Sequence, residues 1–354
     1  MDTPTSSFSI RQARGLVKDL STPEPLVYWT DFLVSVLAGH ALFGLLVFCH
    51  LLPFAWLQHW TGLWTVRCLL FVVAAILYLR SVLFIHELVH LPTRGFAAFR
   101  LAWNALCGIP MLIPSFLYYP HVEHHRRKHY GTDKDGEYID LSHRHPANLL
   151  LFVGASIFVP LAAIVRFAVM TPLAWLLPGF RNWMERRASS MIIDIFYLRG
   201  DYGRKATRVM RWQETLCFGW CWFCLGMWWS VPTLLAVPYY AYAMAVALVA
   251  LNNLRTLGAH RWVAEGAEMT FEEQLLDSLN YPNRPWITEL WGPIGIRYHA
   301  LHHLFPSLPY HNLGTAHRRL MAELPANSIY RQRERTSLTA ALLELYLRSR
   351  RRAS

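Results

Sequence analysis

Lysine is almost missing from this chain. Only Lys18, Lys128, Lys134 and Lys205 occur among 354 residues, so a formal net charge of +11 rests on arginine. Acidic residues are few as well, and charged residues of both signs make up only 16% of the chain against 54% hydrophobic residues. That balance, with a positive mean hydropathy, argues against a soluble globule and for a bilayer. No compact basic module of a nucleic-acid-binding type is present. The arginines flank apolar runs, which suits orientation in a membrane and contact with anionic lipid, and no nucleic-acid partner is expected. Met1–Leu26 is polar and lacks an apolar core ahead of a cleavage site, so a secretory signal peptide is not expected. Cysteine adds little. Cys221 and Cys224 form a C-x-x-C without a second pair to complete a zinc site, and all six cysteines lie in or beside apolar runs, where they pack as small residues.

Four runs suit the roughly 20 helical residues that cross about 30 Å of hydrocarbon. They are approximately 32–54, 64–85, 216–237 and 238–254. They pair into two hairpins, whose connections near Ala55–Leu63 and Val231–Pro238 carry no Lys, Arg, Asp or Glu. The expected fold is an all-α integral membrane protein, with four transmembrane helices in two hairpins and a cytoplasmic helical cap carrying histidine clusters. A polar cytoplasmic segment 1–31 precedes a membrane domain 32–320, and a basic cytoplasmic helix 321–354 follows it. Arginine near the span ends places both termini and the long segments on the cytoplasmic side. Phe96–Tyr119, broken by Pro110 and Pro114, does not read as a span. Asn148–Leu177, broken by Pro160 and Pro172 with Arg166 between them, is expected to lie in the interface or to dip and return.

Histidine is abundant, with seventeen copies. His86 and His90 stand four apart just past the second run, His121, His124 and His125 form H-x-x-H-H, and His299, His302 and His303 form another. His260 follows the fourth run. Under the topology above, every cluster is cytoplasmic. Residues three or four apart share a helix face, so His86 and His90 point at one spot. In each H-x-x-H-H the two adjacent histidines lie about 100° apart around the axis and can diverge towards different ions. Nine imidazoles so arranged suit two neighbouring metals with four or five ligands each. Imidazole accepts Zn, Cu, Fe or Ni, so ligand type alone does not choose the metal. His40, His50, His59, His143, His145 and His317 read as packing or surface residues.

His86-Glu87-Leu88-Val89-His90 is also literally H-E-x-x-H, which in zinc proteases supplies two ligands and a general-base glutamate. A membrane zinc metalloprotease is therefore an alternative, but it would leave seven clustered histidines without a role. Carboxylate-type di-iron sites need two Glu-x-x-His helices, and only Glu87-x-x-His90 matches.

The chain resembles the membrane fatty acid desaturase family. The resemblance rests on His86–His90, His121–His125 with the following stretch through Asp135, His260, and His299–His303 with Leu304-Phe305-Pro306-Ser307-Leu308-Pro309, and runs from about Phe32 to Asn312. It implies a centre of two Fe ions (Fe2+/Fe3+) using O2, with His86, His90, His121, His124, His125, His260, His299, His302 and His303 as ligands. It implies a double bond inserted into an acyl chain held in a narrow tunnel, with lipid hydroxylation or ketolation by the same centre as the alternative outcome. Acyl-CoA members have an Asn four residues before the His260 equivalent, where this chain has Thr256, with Asn252 and Asn253 nearby. The shorter first box leans towards a lipid-linked or carrier-linked substrate. A His, not Gln, opening the third box argues against the front-end subgroup. His145-Pro146-Ala147-Asn148 lacks the glycines of a fused cytochrome haem site, so a separate ferredoxin- or cytochrome-type electron donor is implied. The resemblance suits fatty acid biosynthesis in a bacterial cytoplasmic membrane. Glu87, Glu123, Asp133, Asp135, Glu137, Asp277 and Asn253 are candidates to take the outer N–H of the ligand imidazoles. The arginine-rich face is a candidate surface for an acidic electron donor or for lipid headgroups.

Overall fold

The computed structural model describes residues 9–353, so the first part of the expected 1–31 segment lies outside the described residues. Helix α1 (Ile10–Val17) is capped by Ser9, whose side chain accepts from Gln12 N. Helix α2 (Pro25–Phe48) starts on a proline, which needs no N–H in a first turn, and so begins before Phe32. Helix α3 (Trp60–His90) has 31 residues. At 1.5 Å per residue that is about 46 Å, longer than the roughly 30 Å hydrocarbon core. Its last turns, with His86 and His90, therefore extend beyond the apolar span.

Helices α2 and α3 pack antiparallel. Gly39 meets the Tyr78 ring so closely that a Cβ there would lie 3.0 Å from it. Two residues further along α3, Arg80 grips Asp31 with both Nε (2.6 Å) and Nη2 (2.5 Å). Helix α4 (Thr93–Trp103) runs into a π-helical turn, Asn104–Gly108, and the one-turn helix α5 (His121–His124) follows.

Next come α6 (Ala147–Gly154), α7 (Val159–Val165), a π-helical turn Arg166–Met170, α8 (Thr171–Leu176) and α9 (Pro178–Arg187). Val159–Leu176 is long and apolar enough to cross a membrane, as are Pro25–Leu51, Trp60–His90 and Pro232–Leu257. This corrects the reading of that stretch as broken. Pro160 and Pro172 sit in first turns of α7 and α8, where they are tolerated. Arg166 is buried against the carboxylate of Glu214 and also donates to Thr171 and Ser189. A paired charge is far cheaper to bury than a lone one.

Glu214 belongs to α10 (Gly203–Ser230), which ends before the expected 216–237 span does. Val231 precedes Pro232 and is extended (φ −122°, ψ 98°), as the proline requires. Helix α11 (Val237–Leu257) follows. The two do not share one set of neighbours: α10 packs on the Arg166–Met170 turn and α8, whereas α11 packs on α3, α6 and α7.

The remaining helices are α12 (Phe271–Asp277), α13 (Pro285–Trp291), α14 (His299–Leu304), α15 (Tyr310–Glu323) and α16 (Leu338–Ala353). The basic C-terminal helix thus starts at Leu338, not near residue 321. No strand occurs among the described residues; isolated bridges link His260 to Ser278, and Asn280 to Tyr298 and Glu334. The main apolar core joins Leu79, Leu83, Phe84, Ile85 and Leu88 of α3 to Phe96, Phe99 and Trp103 of α4 and to Ala300, Leu301 and Leu304 of α14. Both terminal segments dock on this body. Arg319 donates to Leu16 O (2.7 Å), and Arg348 to Arg261 O (2.8 Å).

Candidate metal centre

The end of α3, the short helices α5 and α14, and the turn after α11 converge at one place. His86, His90, His121, His125 and His302 form one group, and His124, His260, His299 and His303 a second. Within each group the nearest ring nitrogens all lie within 4.8 Å of one another. The adjacent pairs divide between the groups, His124 from His125 and His302 from His303, as their 100° separation on a helix allows. The groups touch: the His125 and His303 rings are 4.4 Å apart, centre to centre.

The nitrogens are arranged in a specific way. His121 Nδ1 donates outward to both Glu137 oxygens at 3.0 Å, and His124 Nδ1 to Asp135 at 2.8 Å. His260 Nδ1 donates to the Tyr130 hydroxyl (2.8 Å), which donates in turn to Asp277 (2.6 Å). With Nδ1 facing outward as donor, each Nε2 points inward with a lone pair. Nε2 atoms meet at 2.9 Å for His121 and His125, 2.8 Å for His260 and His299, and 3.1 Å for His125 with His302 and for His299 with His303. His121, His124 and His260 thus aim Nε2 lone pairs into the two groups, a donor set that fits metal ions. His86 has both ring nitrogens buried without partners, and His90 Nε2 likewise.

Charge points the same way. Burial, reinforced by neighbouring imidazoles, holds His121, His125, His299, His302 and His303 well below the usual histidine range, which favours the neutral form a metal would need. Burial lowers His260 as well. In His124 burial opposes protonation, but the Asp135 carboxylate outweighs it and the net shift is upward. Burial pushes Glu137 up to about 8, with His124 pulling it down.

Local sequence explains the carboxylates. After α5 the chain turns tightly through Gly131, at φ +69°, where an added Cβ would come within 2.5 Å of the Ala264 side chain. That turn lets Gly131 N and Glu137 N each donate to Asp135 at 3.0 Å, fixing its carboxylate on His124. Asp277 ends α12, accepts from Val263 N (3.2 Å), and lies 3.3 Å from His260 Nδ1.

The other candidates fall elsewhere. Glu87 accepts from Tyr28 Oη (2.5 Å) and Tyr310 N (3.3 Å) and is 3.9 Å from His86 Nδ1. One carboxylate oxygen is taken up by Tyr28 and Tyr310, unlike a general base of an H-E-x-x-H protease. Glu123 accepts from His129 (2.6 Å), Asp133 is exposed, and Asn253 donates to Phe152 O (2.9 Å) and Ser156 (3.2 Å). Tyr130, and Tyr118 stacked 4.6 Å from His121, were not singled out by any motif. Tyr130 lies in the stretch following the second box, which was the one signal pointing at it.

The fatty acid desaturase profile matches residues 59–334. The chain belongs to that family. A ceramide hydroxylase of Caulobacter vibrioides (strain NA1000 / CB15N) is 38% identical over 348 residues, covering 96% of this chain and 93% of that protein. The family's enzymes are oxidoreductases that act on lipids in membranes, and the helices here place this chain in a membrane too.

Proposed function

We propose that this protein is an O2-dependent di-iron oxidoreductase that hydroxylates a ceramide-like lipid within the membrane. The observation that carries the chemistry is the division of nine converging imidazoles into two touching groups. The ceramide hydroxylase, similar along nearly the whole chain, supports the substrate and the outcome. His86, His90, His121, His125 and His302 would hold one iron, and His124, His260, His299 and His303 the other. Bound there, the irons would supply O2 activation and the removal of hydrogen from an unactivated carbon.

The chain's own part is positioning. Glu137, Asp135 and the Tyr130–Asp277 pair hold the imidazoles in one tautomer and orientation. The apolar packing of α3, α4 and α14 below the histidines keeps water from the reacting carbon. A misplacement of about 1 Å costs on the order of a hundredfold in rate, which is why buried packing and not mobile loops frames the site. The arginine distribution supports a cytoplasmic histidine side and cytoplasmic termini, where a separate protein would deliver electrons.

Desaturation by the same centre is the second reading. It is favoured by the family profile and by Leu304-Phe305-Pro306 after the third box. Expression in a ceramide-making host with lipid mass spectrometry separates the two: hydroxylation yields ceramides heavier by one oxygen, desaturation products lighter by two hydrogens. Purified active protein containing a single zinc and no iron would overturn both.

A further inference from the structure

Among the described residues Arg255 is a cation with no ion pair, set beside the histidine groups on their membrane side. Its position follows from helix register. Helices α3 and α11 lie side by side and run the same way. Arg67, near the start of α3, stacks on Tyr240, near the start of α11, at 5.5 Å from the ring centre, and Phe71, Ala74, Ala75 and Tyr78 then pack with Met244 and Leu248. Counting along both helices from the Arg67–Tyr240 contact places Arg255 about one turn, roughly 6 Å, to the membrane side of His86. Its direction follows from spacing. Leu248, Leu251 and Arg255 share a face at i, i+3 and i+7, and both leucines pack into the core that holds Ile85, Leu88 and Leu301. Asn253 faces the other way, towards Phe152 and Ser156.

The guanidinium is only partly satisfied. Nη2 donates to Asn252 Oδ1 (2.8 Å) and Thr256 Oγ1 (3.2 Å), and the buried Nε has no partner. Among the described residues Nη1 makes no hydrogen bond either, and no carboxylate lies within 4.0 Å to form an ion pair. The charge does reach the site, where Tyr118, Glu137 and His86 feel it. A cation in the last turn of a helix complements the helix dipole, but that role is filled as well by a side chain turned to solvent. It does not account for a buried arginine aimed inward with donors to spare, since an unmet buried donor is costly.

Resting on the hydroxylase reading above, we propose that Arg255 binds an amide carbonyl or hydroxyl oxygen of the lipid substrate. It thereby holds the polar head one helical turn from the irons and sets which carbon is presented to them. The fork donates through Nη1 and Nε, while Asn252 and Thr256 fix its orientation. Recognition of this kind ties oxidation to a carbon close to the polar head.

The test compares wild type, Arg255→Gln and Arg255→Lys as purified full-length protein in lipid nanodiscs. Iron content, ceramide binding without O2, and product position are measured on each. The expected result is iron equal to wild type, ceramide binding weaker by about 10- to 100-fold in R255Q, and oxygen spread over more carbons. R255K, which keeps the charge and loses the fork, should fall between. A ceramide analogue stripped of its amide carbonyl and hydroxyls should bind all three proteins alike. The proposal is overturned if R255Q and R255K bind ceramide as wild type does, or if they lose iron in proportion to activity, which would make Arg255 a support of the metal groups. A wild type that binds ceramide without O2 but never oxidises it would defeat the hydroxylase reading and leave the assignment of Arg255 standing.

Discussion

The two histidine groups are held by different means. The group of His124, His260, His299 and His303 sits in a polar cradle, where Asp135 and the Tyr130–Asp277 pair take outer N–H groups. The group of His86, His90, His121, His125 and His302 has one such support, Glu137 on His121, while His86, His90 Nε2 and His125 Nδ1 lack hydrogen-bond partners. Its two α3 members are placed by packing instead, since Ile85 just before them and Leu88 between them are at most 2% exposed. Hydrogen bonds orient His124 and His260, while His299 Nδ1 makes none among the described residues, and close-packed side chains position His86 and His90 on the span. The second device works only as long as the apolar core stays filled.

The largest expected effect comes from removing a ligand on either side. His90→Ala and His299→Ala should each abolish turnover and lose about one metal per chain, read by elemental analysis of the purified protein. Retention of both metals by either variant would contradict the assignment of that histidine. Next in size is Asp135→Asn, which keeps the shape of the side chain but weakens its hold on His124. Metal affinity or activity should drop by about 10- to 100-fold. Glu87→Gln is the matched control: its carboxylate faces Tyr28, so metal content should hold. A complete loss of turnover in E87Q with metal retained would show that Glu87 acts on the reaction itself.

That contrast also shows what was legible in the sequence. The nine histidines are readable because ligand spacing on short helices is a local property, and H-x-x-H-H carries its own geometry. Asp135, Glu137 and Asp277 could be named as candidates, but nothing local separates them from Glu87 and Glu123, which stand beside histidines in the chain. Adjacency misleads here, because neighbours on a helix point about 100° apart and Glu123 turns to His129 and Arg126. Tyr130 reaches His260 across 130 residues of chain, a contact that no spacing rule reports. The spans show the same limit. Pro160, Pro172 and Arg166 made Asn148–Leu177 read as no span, yet the prolines fall in first turns and Glu214, the partner of Arg166, lies on a helix that only the fold brings near. Composition records a charge but not its neutralisation.

Packing support for the span-borne ligands is tested by Leu88→Ala, at a residue 1% exposed between His86 and His90. The lost contacts and the cavity should lower stability by about 2–5 kcal/mol. Thermal unfolding in detergent should show this, with metal lost from the whole protein at a lower temperature. Asp135→Asn opens no such cavity and should lose metal with a smaller change in unfolding temperature. If L88A keeps both its unfolding temperature and its metals, the distinction between a packed group and a hydrogen-bonded one fails.

The smallest effect should come from Tyr130→Phe, and its size is informative. The variant deletes the hydroxyl that accepts from His260 Nδ1, yet Asp277 Oδ2 already stands 3.3 Å from that nitrogen. A slight approach lets the carboxylate take the proton directly, replacing a relay by a charge-assisted bond. The expected loss is about 0.5–1.5 kcal/mol, at most roughly tenfold in metal affinity or activity, and well short of Asp135→Asn. The double variant with Asp277→Asn should then lose far more than the two single changes together, because each substitution removes the other's substitute. Additive losses would instead mean that Tyr130 and Asp277 serve His260 independently, and that the cap lacks the redundancy which its buried network suggests.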